Sequence, residues 1–582
     1  MPLIEGGLTM IAMVSAACWP DLLSRFFCPI ERVFGSIARH RRLAVAVPGL
    51  AVLLLRLAML PLFPIPLPFL PDDFSFLLAG DTFALGRFTN PTPAMWIHFE
   101  TIHVTMVPTY ISMYFPAQGV FLALGKLYLG HPWFGVLLPS ALMSSAICWM
   151  LQAWLPAGWA FLGAMLAVLR LGLFSYWINT YSGGGAIAAL GGALVLGALP
   201  RYMRHTRQRD GVLLALGIAL LATTRPYEGL LLCIPSAWFL ARWLWRTKGQ
   251  VRRRLLASSA LPVIVLISAG SWMAYYDHCA FGRASTLPYT VDRATYAIAP
   301  YYVWQRARPE PLYHHTSLRD FYRDSELKAF DAIHSVSGFV PQTLIKVVRT
   351  FGFFAGFALL PPLIMVRRAL MDRRIRFLVL CVLVLVPGML IEIFLIPHYL
   401  APFTAALYGI GLQCMRHLRV WRPGGRPVGL GMVRACVVLC VTLAAVRLCS
   451  RPLHINIPQW PASQWSAMWF GPEHYGTERA AIEDALARAP GRQLALVRYS
   501  SEHNSMDEWV YNSPDIDKSK VIWAREMDAA SNAELIRYYH DRNVWLVQPD
   551  QPQQRLSAYP GVEEITGSVQ MAQADMPTSP KQ

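Results

Sequence analysis

The chain has 582 residues, of which 55% are hydrophobic and only 15% are charged, with a mean hydropathy of +0.37 and a formal net charge of +17. An ordinary soluble chain carries about 25% charged residues, and runs of 18 or more apolar residues are typical of membrane spans. Residues 134–169, 171–200 and 255–276 contain no charged side chain. The composition excludes a soluble enzyme, a disordered protein and a secreted disulfide-rich scaffold, and it predicts a polytopic α-helical membrane protein.

The charge is unevenly distributed. Residues 453–582 hold 11 Lys/Arg and 17 Asp/Glu, whereas the preceding residues hold 41 and 18. A basic excess in a membrane chain is typical of cytoplasmic loops that face anionic headgroups, so we expect the lipid bilayer and not nucleic acid as the partner of the basic residues. The ten cysteines are scattered and show neither zinc spacing nor a disulfide framework.

Arginine-dense segments fix a topology by the positive-inside rule. They place the N-terminus inside and make 64–116 and 277–342 external loops, because the first loop has a single basic residue and the second is balanced in charge. An apolar segment at 117–129 is predicted to be an interfacial or re-entrant helix, because a further span would turn an arginine-rich loop outward. About eleven spans are predicted, at 43–62, 134–154, 158–174, 184–200, 211–223, 228–242, 255–276, 350–366, 377–396, 399–415 and 431–448.

Three regions follow from these spans: a cytoplasmic N-terminal segment 1–42, a transmembrane domain 43–452 and an external domain 453–582. The apolar stretch at 8–18 lacks a basic flank, so no cleaved signal is expected. In the tail, alternating helix and strand patterns predict a small α/β domain with a parallel sheet. The predicted elements are helices at 477–489 and 533–541 and strands at 494–499, 521–524 and 544–547.

Two adjacent carboxylates, Asp72 and Asp73, follow the first predicted span. Adjacent carboxylates raise one pKa unless a cation compensates, and such a pair suits a base that takes a proton from a hydroxyl while its neighbour binds substrate or metal. The alternative is that one of them caps the helix running to Gly86. The sequence leaves both interpretations open.

Two later external turns carry further candidates. Arg225 could bind a phosphate by charge-assisted hydrogen bonds, although an Arg225–Glu228 pair would also simply neutralise the turn. His398 could donate to a phosphate oxygen, and Tyr399 could anchor at headgroup level or belong to an aromatic belt.

Asn179 lies in a glycine-rich stretch that is also predicted at the outer surface, where a simple turn between spans is the alternative. His98, Glu100 and His103 have spacing that resembles metal ligands, but no further ligand motif accompanies them. Asp72, Asn179, Arg225 and His398 all fall on the outer face under a topology derived from arginines alone, which favours one site.

With these motifs the sequence resembles the GT-C superfamily of membrane glycosyltransferases, in the branch of protein O-mannosyltransferases and aminoarabinose transferases. Pro71-Asp72-Asp73 through Gly86-Arg87 resembles the family's acidic pair and loop helix, Arg225-Pro226 its later basic turn, and His398-Tyr399-Leu400-Ala401-Pro402 its late Arg-Tyr-x-x-Pro element. His398 stands where the family has arginine, and residues 175–183 lack an acidic residue that many relatives carry, so a requirement for Mg²⁺ or Mn²⁺ stays open.

The resemblance implies transfer of a sugar from a polyprenyl-phosphate donor to a hydroxyl of an envelope acceptor, with inversion, at the outer face of a bacterial inner membrane. Asp72 would be the base and Asp73 would orient acceptor or metal, while Arg225, Glu228, His398, Tyr399, Asn179 and Arg87 would bind substrate. A transporter or flippase, and a non-catalytic scaffold, are the alternatives. A transporter would place its charged groups near the membrane midplane.

Overall fold

The computed structural model describes residues 2–22, 24–449, 475–552 and 555–561. These residues form a helical bundle and a small α/β unit that packs on the loop 64–116, which we call the first external loop after its predicted side of the membrane. The helices of the chain up to residue 449 are α1 (Pro2–Cys18), α2 (Ser24–Arg39), α3 (Arg41–Ala58), α4 (Pro71–Ala84), α5 (Ala117–Leu129), α6 (Phe134–Leu151), α7 (Ala157–Ala167), α8 (Tyr176–Asn179), α9 (Gly185–His205), α10 (Gln208–Thr224), α11 (Pro226–Arg246), α12 (Gln250–Phe281), α13 (Pro288–Tyr296), α14 (Thr316–Arg319), α15 (Lys328–His334), α16 (Val336–Phe354), α17 (Val366–Met371), α18 (Arg376–Ile391), α19 (Thr404–Arg419) and α20 (Val428–Cys449).

Small residues let the central helices approach closely. A Cβ added to Gly192 of α9 would lie 1.8 Å from the carbonyl oxygen of Pro402, and one added to Gly135 of α6 would lie 2.0 Å from that of Phe121. Helix association in lipid relies on such close packing, because lipid tails remove the hydrophobic drive that operates in water. α9 is the most buried of the long apolar helices in the described residues. Its Gly192 packs against Pro402, in the segment just before α19.

Four helices in the described residues are long and apolar enough to cross a membrane: α6, α9, α12 and α20. A fifth is obtained if the bent pair Ser337–Phe354 and Phe357–Met371 is counted as one span. The other predicted spans correspond to shorter or less apolar helices, and the predicted number of eleven stays a prediction. The segment at 117–129 is the 13-residue helix α5.

The predicted span 350–366 does not coincide with one continuous helix, and a helix already begins within the predicted external loop 277–342. The helix there is α16, which begins at Val336 and ends at Phe354, and the chain then turns by 81° into the next helical segment. Gly356 has a φ of +60°, and two prolines follow at Pro361-Pro362, so the helix cannot continue. Lys346 and Arg349 break the apolar run inside α16, which is why the hydropathy pattern placed the span too late.

The N-terminal segment 1–42, predicted as cytoplasmic, contributes α1 to the bundle. α1 packs against α20, and its Glu5 carboxylate lies 3.2 Å from the guanidinium of Arg170, with both side chains buried. The same Glu5 oxygen accepts from the backbone N–H of Ala358 at 3.2 Å. A charged group in an apolar bundle needs such a partner, so the first turns of α1 belong with the membrane helices.

The tail contains two further helices, α21 (Thr477–Arg488) and α22 (Ala529–Tyr538), and a four-stranded sheet. The first external loop supplies three short strands of its own, β1 (Asn90–Pro91), β2 (Val104–Thr105) and β3 (Thr109–Ser112). The strands of the tail are β4 (Arg492–Val497), β5 (Val521–Arg525), β6 (Arg542–Val547) and β7 (Leu556–Ala558). β4 pairs in parallel with β5 and β6, and β7 closes one edge antiparallel to β6.

The α/β unit shares a hydrophobic core with the first external loop. Phe74 of α4 stacks on Tyr511 at a ring separation of 4.4 Å, and the guanidinium of Arg479 lies 4.6 Å from the ring of Phe74. Arg525 donates to the backbone oxygen of Glu100 at 2.7 Å, and Tyr511 donates to that of Ile102 at 3.1 Å. The predicted boundary at 453 therefore separates two segments of sequence but not two cores, and residues 453–474 of the predicted domain lie outside the described residues.

Candidate active site

A cavity of about 360 Å³ lies where the first external loop meets the later external turns. Its wall includes Tyr114, Gly183 and Arg225, with Tyr289 of α13 and Glu392 at the end of α18 opposite. The cavity therefore brings together segments that are far apart in sequence. It lies at the ends of α10 and α18 and not beside their middles. A cavity of this size with convergent polar groups is the usual form of a small-molecule site.

Asp72 is not among the described residues that line this cavity, and two side chains of the first external loop hold it next to the wall. Its Oδ1 lies 2.7 Å from Nδ1 of His103 and accepts a hydrogen bond of 2.5 Å from the hydroxyl of Tyr114. Tyr114 itself lines the cavity, so Asp72 lies directly behind the wall. In the part of the chain that the structure describes, no group donates to Oδ2 of Asp72, which leaves that oxygen free to accept a proton.

The electrostatics favour an ionised Asp72 and a protonated His103. Burial raises the pKa of Asp72, but the hydrogen bond and charge of His103, with the Tyr114 hydroxyl and the more distant Arg225, outweigh burial and lower it below its usual 3.8. Burial lowers the pKa of His103, yet Asp72, with Asp292 and Glu326 further away, raises it above its usual 6.5. A charge-assisted pair of this kind fixes both the position and the protonation state of the carboxylate.

His103 keeps its position through its backbone. Its φ is +64°, a conformation that a non-glycine residue seldom adopts. The hydroxyl of Ser75 donates to the His103 carbonyl at 2.6 Å, and the backbone N–H of Met113 donates to the same oxygen at 3.2 Å. Because Ser75 lies one turn after Asp72 on α4, the helix that carries the carboxylate also holds the loop that carries its partner.

Asp73 is held by backbone N–H groups, and its predicted role of orienting acceptor or metal stays a prediction. Its side chain is fully buried and accepts from three backbone N–H groups, those of Phe69 and Leu70 at 3.3 Å and that of Tyr181 at 2.9 Å. Burial raises its pKa to about 7, against the lowering effect of these bonds. With Pro71 at the first position of α4, Asp73 completes the helix N-terminus. The capping alternative therefore applies to Asp73, while Asp72 remains available for chemistry.

Arg225 is one of three arginines among the described residues that line the cavity. It lies between the end of α10 and the start of α11, where its guanidinium stacks 4.4 Å above the ring of Tyr399 and donates to the carbonyl of Gly183 at 3.3 Å. Glu228 also lines the cavity, and its charge acts on Arg225. The structure thus brings together three predicted binding residues, of which Arg225 and Glu228 line the cavity and Tyr399 packs against the Arg225 guanidinium.

His398 is adjacent to this group, and its predicted role as a donor to a phosphate oxygen stays a prediction. It is buried, and its Nδ1 lies 2.8 Å from the hydroxyl of Tyr176. Burial, with the charge of Arg225, lowers its pKa well below 6.5, so it is neutral. A Cβ on Gly183 would lie 2.8 Å from Nδ1 of His398. His398 therefore supports the loop that holds Arg225 and adds no positive charge to the cavity.

The other two predicted binding residues are placed away from the cavity. Asn179 accepts a 3.2 Å hydrogen bond from Arg56 and donates to the carbonyls of Leu173 and Ser175, so it fastens the loop to α3. Arg87 pairs with Asp515 of the α/β unit at 2.8 Å, with both side chains about one-third exposed. The prediction that they bind substrate is not supported by these contacts.

The described residues do not fit a divalent cation. They contain no group of three or more His, Cys, Asp or Glu side chains arranged to hold a metal. His98, Glu100 and His103 point to different partners, namely the carbonyl of Arg525, the hydroxyl of Tyr296 and Asp72. Both oxygens of Asp73 already accept backbone N–H groups. We therefore derive no step through a metal.

Several residues at or beside the cavity were not predicted from the sequence to belong to the catalytic or substrate-binding site. His103 and Tyr114 contact Asp72, and Arg293 and Arg308 line the far end of the cavity. Oε2 of Glu392 is buried at the cavity wall and has no hydrogen-bond partner among the described residues. Of these residues, the sequence analysis had singled out only His103, and for metal-ligand-like spacing instead of its contact with Asp72.

No protein-family model matches the sequence, and no curated protein matches it. Among solved structures, the chain is similar to ArnT from Cupriavidus metallidurans bound to undecaprenyl phosphate, at 14% identity and a TM-score of 0.48, over 86% of this chain and 93% of that one. It is also similar to the Archaeoglobus fulgidus oligosaccharyltransferase tethered with an acceptor peptide, at 12% identity and a TM-score of 0.41, over 78% of this chain. The match spans 62% of the length of the Archaeoglobus oligosaccharyltransferase, and it carries no information on the substrates of this chain.

Proposed function

We propose that the protein is a glycosyltransferase that moves a sugar from a polyprenyl-phosphate donor to a hydroxyl of an envelope acceptor at the outer face of a bacterial inner membrane. The observation that carries the proposal is the placement of Asp72, bound by His103 and Tyr114, behind the wall of the same cavity that Arg225 lines. A base and an anion clamp at the edge of a helical bundle suit a donor whose lipid lies in the membrane and whose phosphate lies at the surface.

In this proposal the acceptor hydroxyl gives its proton to Oδ2 of Asp72 while its oxygen attacks the anomeric carbon. The bond between that carbon and the donor phosphate oxygen breaks, and the electron pair leaves on the lipid phosphate. Negative charge grows on the phosphate in the transition state, where the Arg225 guanidinium stabilises it. A single displacement of this kind inverts the anomeric centre.

The far end of the cavity provides a place for the sugar. Tyr289, Tyr301 and Tyr302 line it, and the ring of Tyr301 lies 5.2 Å from the guanidinium of Arg293. Arg293 is itself neutralised by Glu326, with both carboxylate oxygens at 2.7 Å, so it presents a fixed wall and not a second free charge. Aromatic side chains with a few polar groups are suited to a sugar ring, which has both apolar and hydroxyl faces.

The test is turnover of a panel of undecaprenyl-phosphate sugars by the purified protein in nanodiscs, with release of undecaprenyl phosphate as the readout. Release that depends on Asp72 supports the proposal. A transporter or flippase, the alternative function, would bind and translocate a donor without releasing the lipid phosphate. A folded protein that binds none of the donors would refute both the substrate class and the role of Arg225.

A further inference from the structure

A second cavity, of about 190 Å³, lies at the opposite end of the bundle, on the side predicted to face the cytoplasm. We call it the basic cavity. It is formed by the start of α3, the end of α6, the end of α9 and the start of α10. On the same measure a single water needs only roughly 10–15 Å³, so the basic cavity has room for a larger group.

Its lining is unusually rich in one charge. Five arginines line it, and Asp210 is the single acidic side chain among the described residues that do so. Asp210 is buried and lies 3.5 Å from Arg209, so it offsets only part of the positive charge. The arginines are Arg41, Arg201, Arg204, Arg207 and Arg209.

Part of the basic cavity is rigid. Arg201 donates to the carbonyls of Gly197 and Trp149, both at 2.7 Å, and its guanidinium lies 4.1 Å from the Trp149 ring. Gln152 donates to the backbone carbonyl of Arg41 at 3.1 Å, which joins the ends of α6 and α3. Arg204, Arg207 and Arg209 are exposed, so their guanidinium groups are available to an anion.

The positive-inside rule alone explains arginines on this side of the membrane, but it does not require them to converge. Arg252, Arg253 and Arg254 at the start of α12 are on the same side and exposed, and they line neither described cavity. Five guanidinium groups around one cavity repel one another until an anion neutralises them. Arginine forks match the geometry of phosphate oxygens.

We propose that the basic cavity binds a phosphate group, supplied either by the headgroup of an anionic phospholipid or by free phosphate. Its position at the membrane boundary makes the headgroup the source with the higher local concentration. Binding would tie together the ends of four helices. One of them, α10, ends next to Arg225, so the two cavities lie at opposite ends of the same helix.

The test uses the purified full-length protein in neutral detergent, with thermal unfolding followed while phosphatidylglycerol, phosphatidylcholine or inorganic phosphate is added. We expect a saturable rise in Tm with phosphatidylglycerol and none with phosphatidylcholine. In R204Q/R209Q the half-saturating concentration should increase roughly tenfold or more, because each arginine near the surface contributes measurably to binding an anionic lipid. R252Q/R253Q removes the same charge from the same side and should leave the titration unchanged.

The same rise in Tm with inorganic phosphate alone would support the site and identify free phosphate as its ligand. The absence of a saturable effect with both phosphate sources would overturn the proposal, as would an equal loss in R252Q/R253Q. If R204Q/R209Q does not fold, R207Q provides the decision, since Arg207 is exposed and lines the same cavity. A higher half-saturating concentration in R207Q would support the site, and an unchanged half-saturating concentration would reject it.

Discussion

Replacing His103 with glutamine should shift the acid side of the pH–rate profile without abolishing transfer. His103 Nδ1 lies 2.7 Å from Asp72, and both side chains are about one-tenth exposed. A hydrogen bond to a charged group contributes about 1.5–3 kcal/mol. Since about 1.36 kcal/mol corresponds to one pKa unit, loss of the pair should raise the pKa of Asp72 by roughly one to two units.

The sign of the effect follows from the base role. Asp72 must be ionised to accept the acceptor proton, so the rate falls as the pH falls through its pKa. That pKa lies below 3.8 in the parent protein and should move upward in the His103→Gln variant. At pH 7 both proteins have an ionised Asp72 and their rates should differ far less than at pH 4.

The assay is release of the lipid phosphate measured across pH 3 to 8, with donor saturating. His278→Gln is a matched control, because His278 is an exposed histidine near the outer end of α12. Coincident acid limbs in the parent protein and in His103→Gln would refute the coupling between His103 and the base.

Three further predictions concern the other predicted site residues. Asp73→Asn should lower the free energy of unfolding by about 1–2 kcal/mol, as loss of a helix cap does, while the folded fraction keeps its turnover. Thermal unfolding measures the stability and active-fraction titration measures the turnover. A loss of turnover in fully folded protein would show that Asp73 takes part in the catalytic step. Arg225→Lys should raise the donor KM at least tenfold, because an ammonium cannot both stack on Tyr399 and reach Gly183. An unchanged donor affinity would show that Arg225 does not bind the donor phosphate. Arg87→Gln should change the free energy of unfolding by less than about 1 kcal/mol, since the ion pair of Arg87 with Asp515 is partly exposed. A specific loss of donor binding would show that Arg87 binds substrate, as the sequence predicted.

The sequence predicted apolar helices and a helix start at the acidic pair because both depend on local patterns. Apolar runs mark helices whichever partners they have, and a proline followed by two aspartates marks a helix start. The pattern could not show that Asp73 also accepts from the backbone N–H of Tyr181, more than one hundred residues away. The same limit applies to Asn179, whose external position was predicted but whose bond to Arg56 was not.

His103 shows a different limit. It was considered only as a metal ligand with His98 and Glu100, because spacing along the chain was the only signal. The turn at His103 has a positive φ and depends on Ser75, so the direction of its ring could not be inferred from sequence. The break after α16 was missed for a similar reason, since hydropathy averages over Gly356 and the two prolines that follow it.

The most direct test of the account is single-turnover transfer by Asp72→Asn, with donor binding measured on the same preparation. Asparagine keeps the shape of the side chain and can accept from Tyr114, so the cavity and Arg225 should be unchanged. We expect donor affinity within about threefold of the parent and a transfer rate reduced by 10²–10⁴, the usual contribution of a general base. Transfer at the parental rate by this variant, with the donor bound, would contradict the assignment of Asp72 as the base.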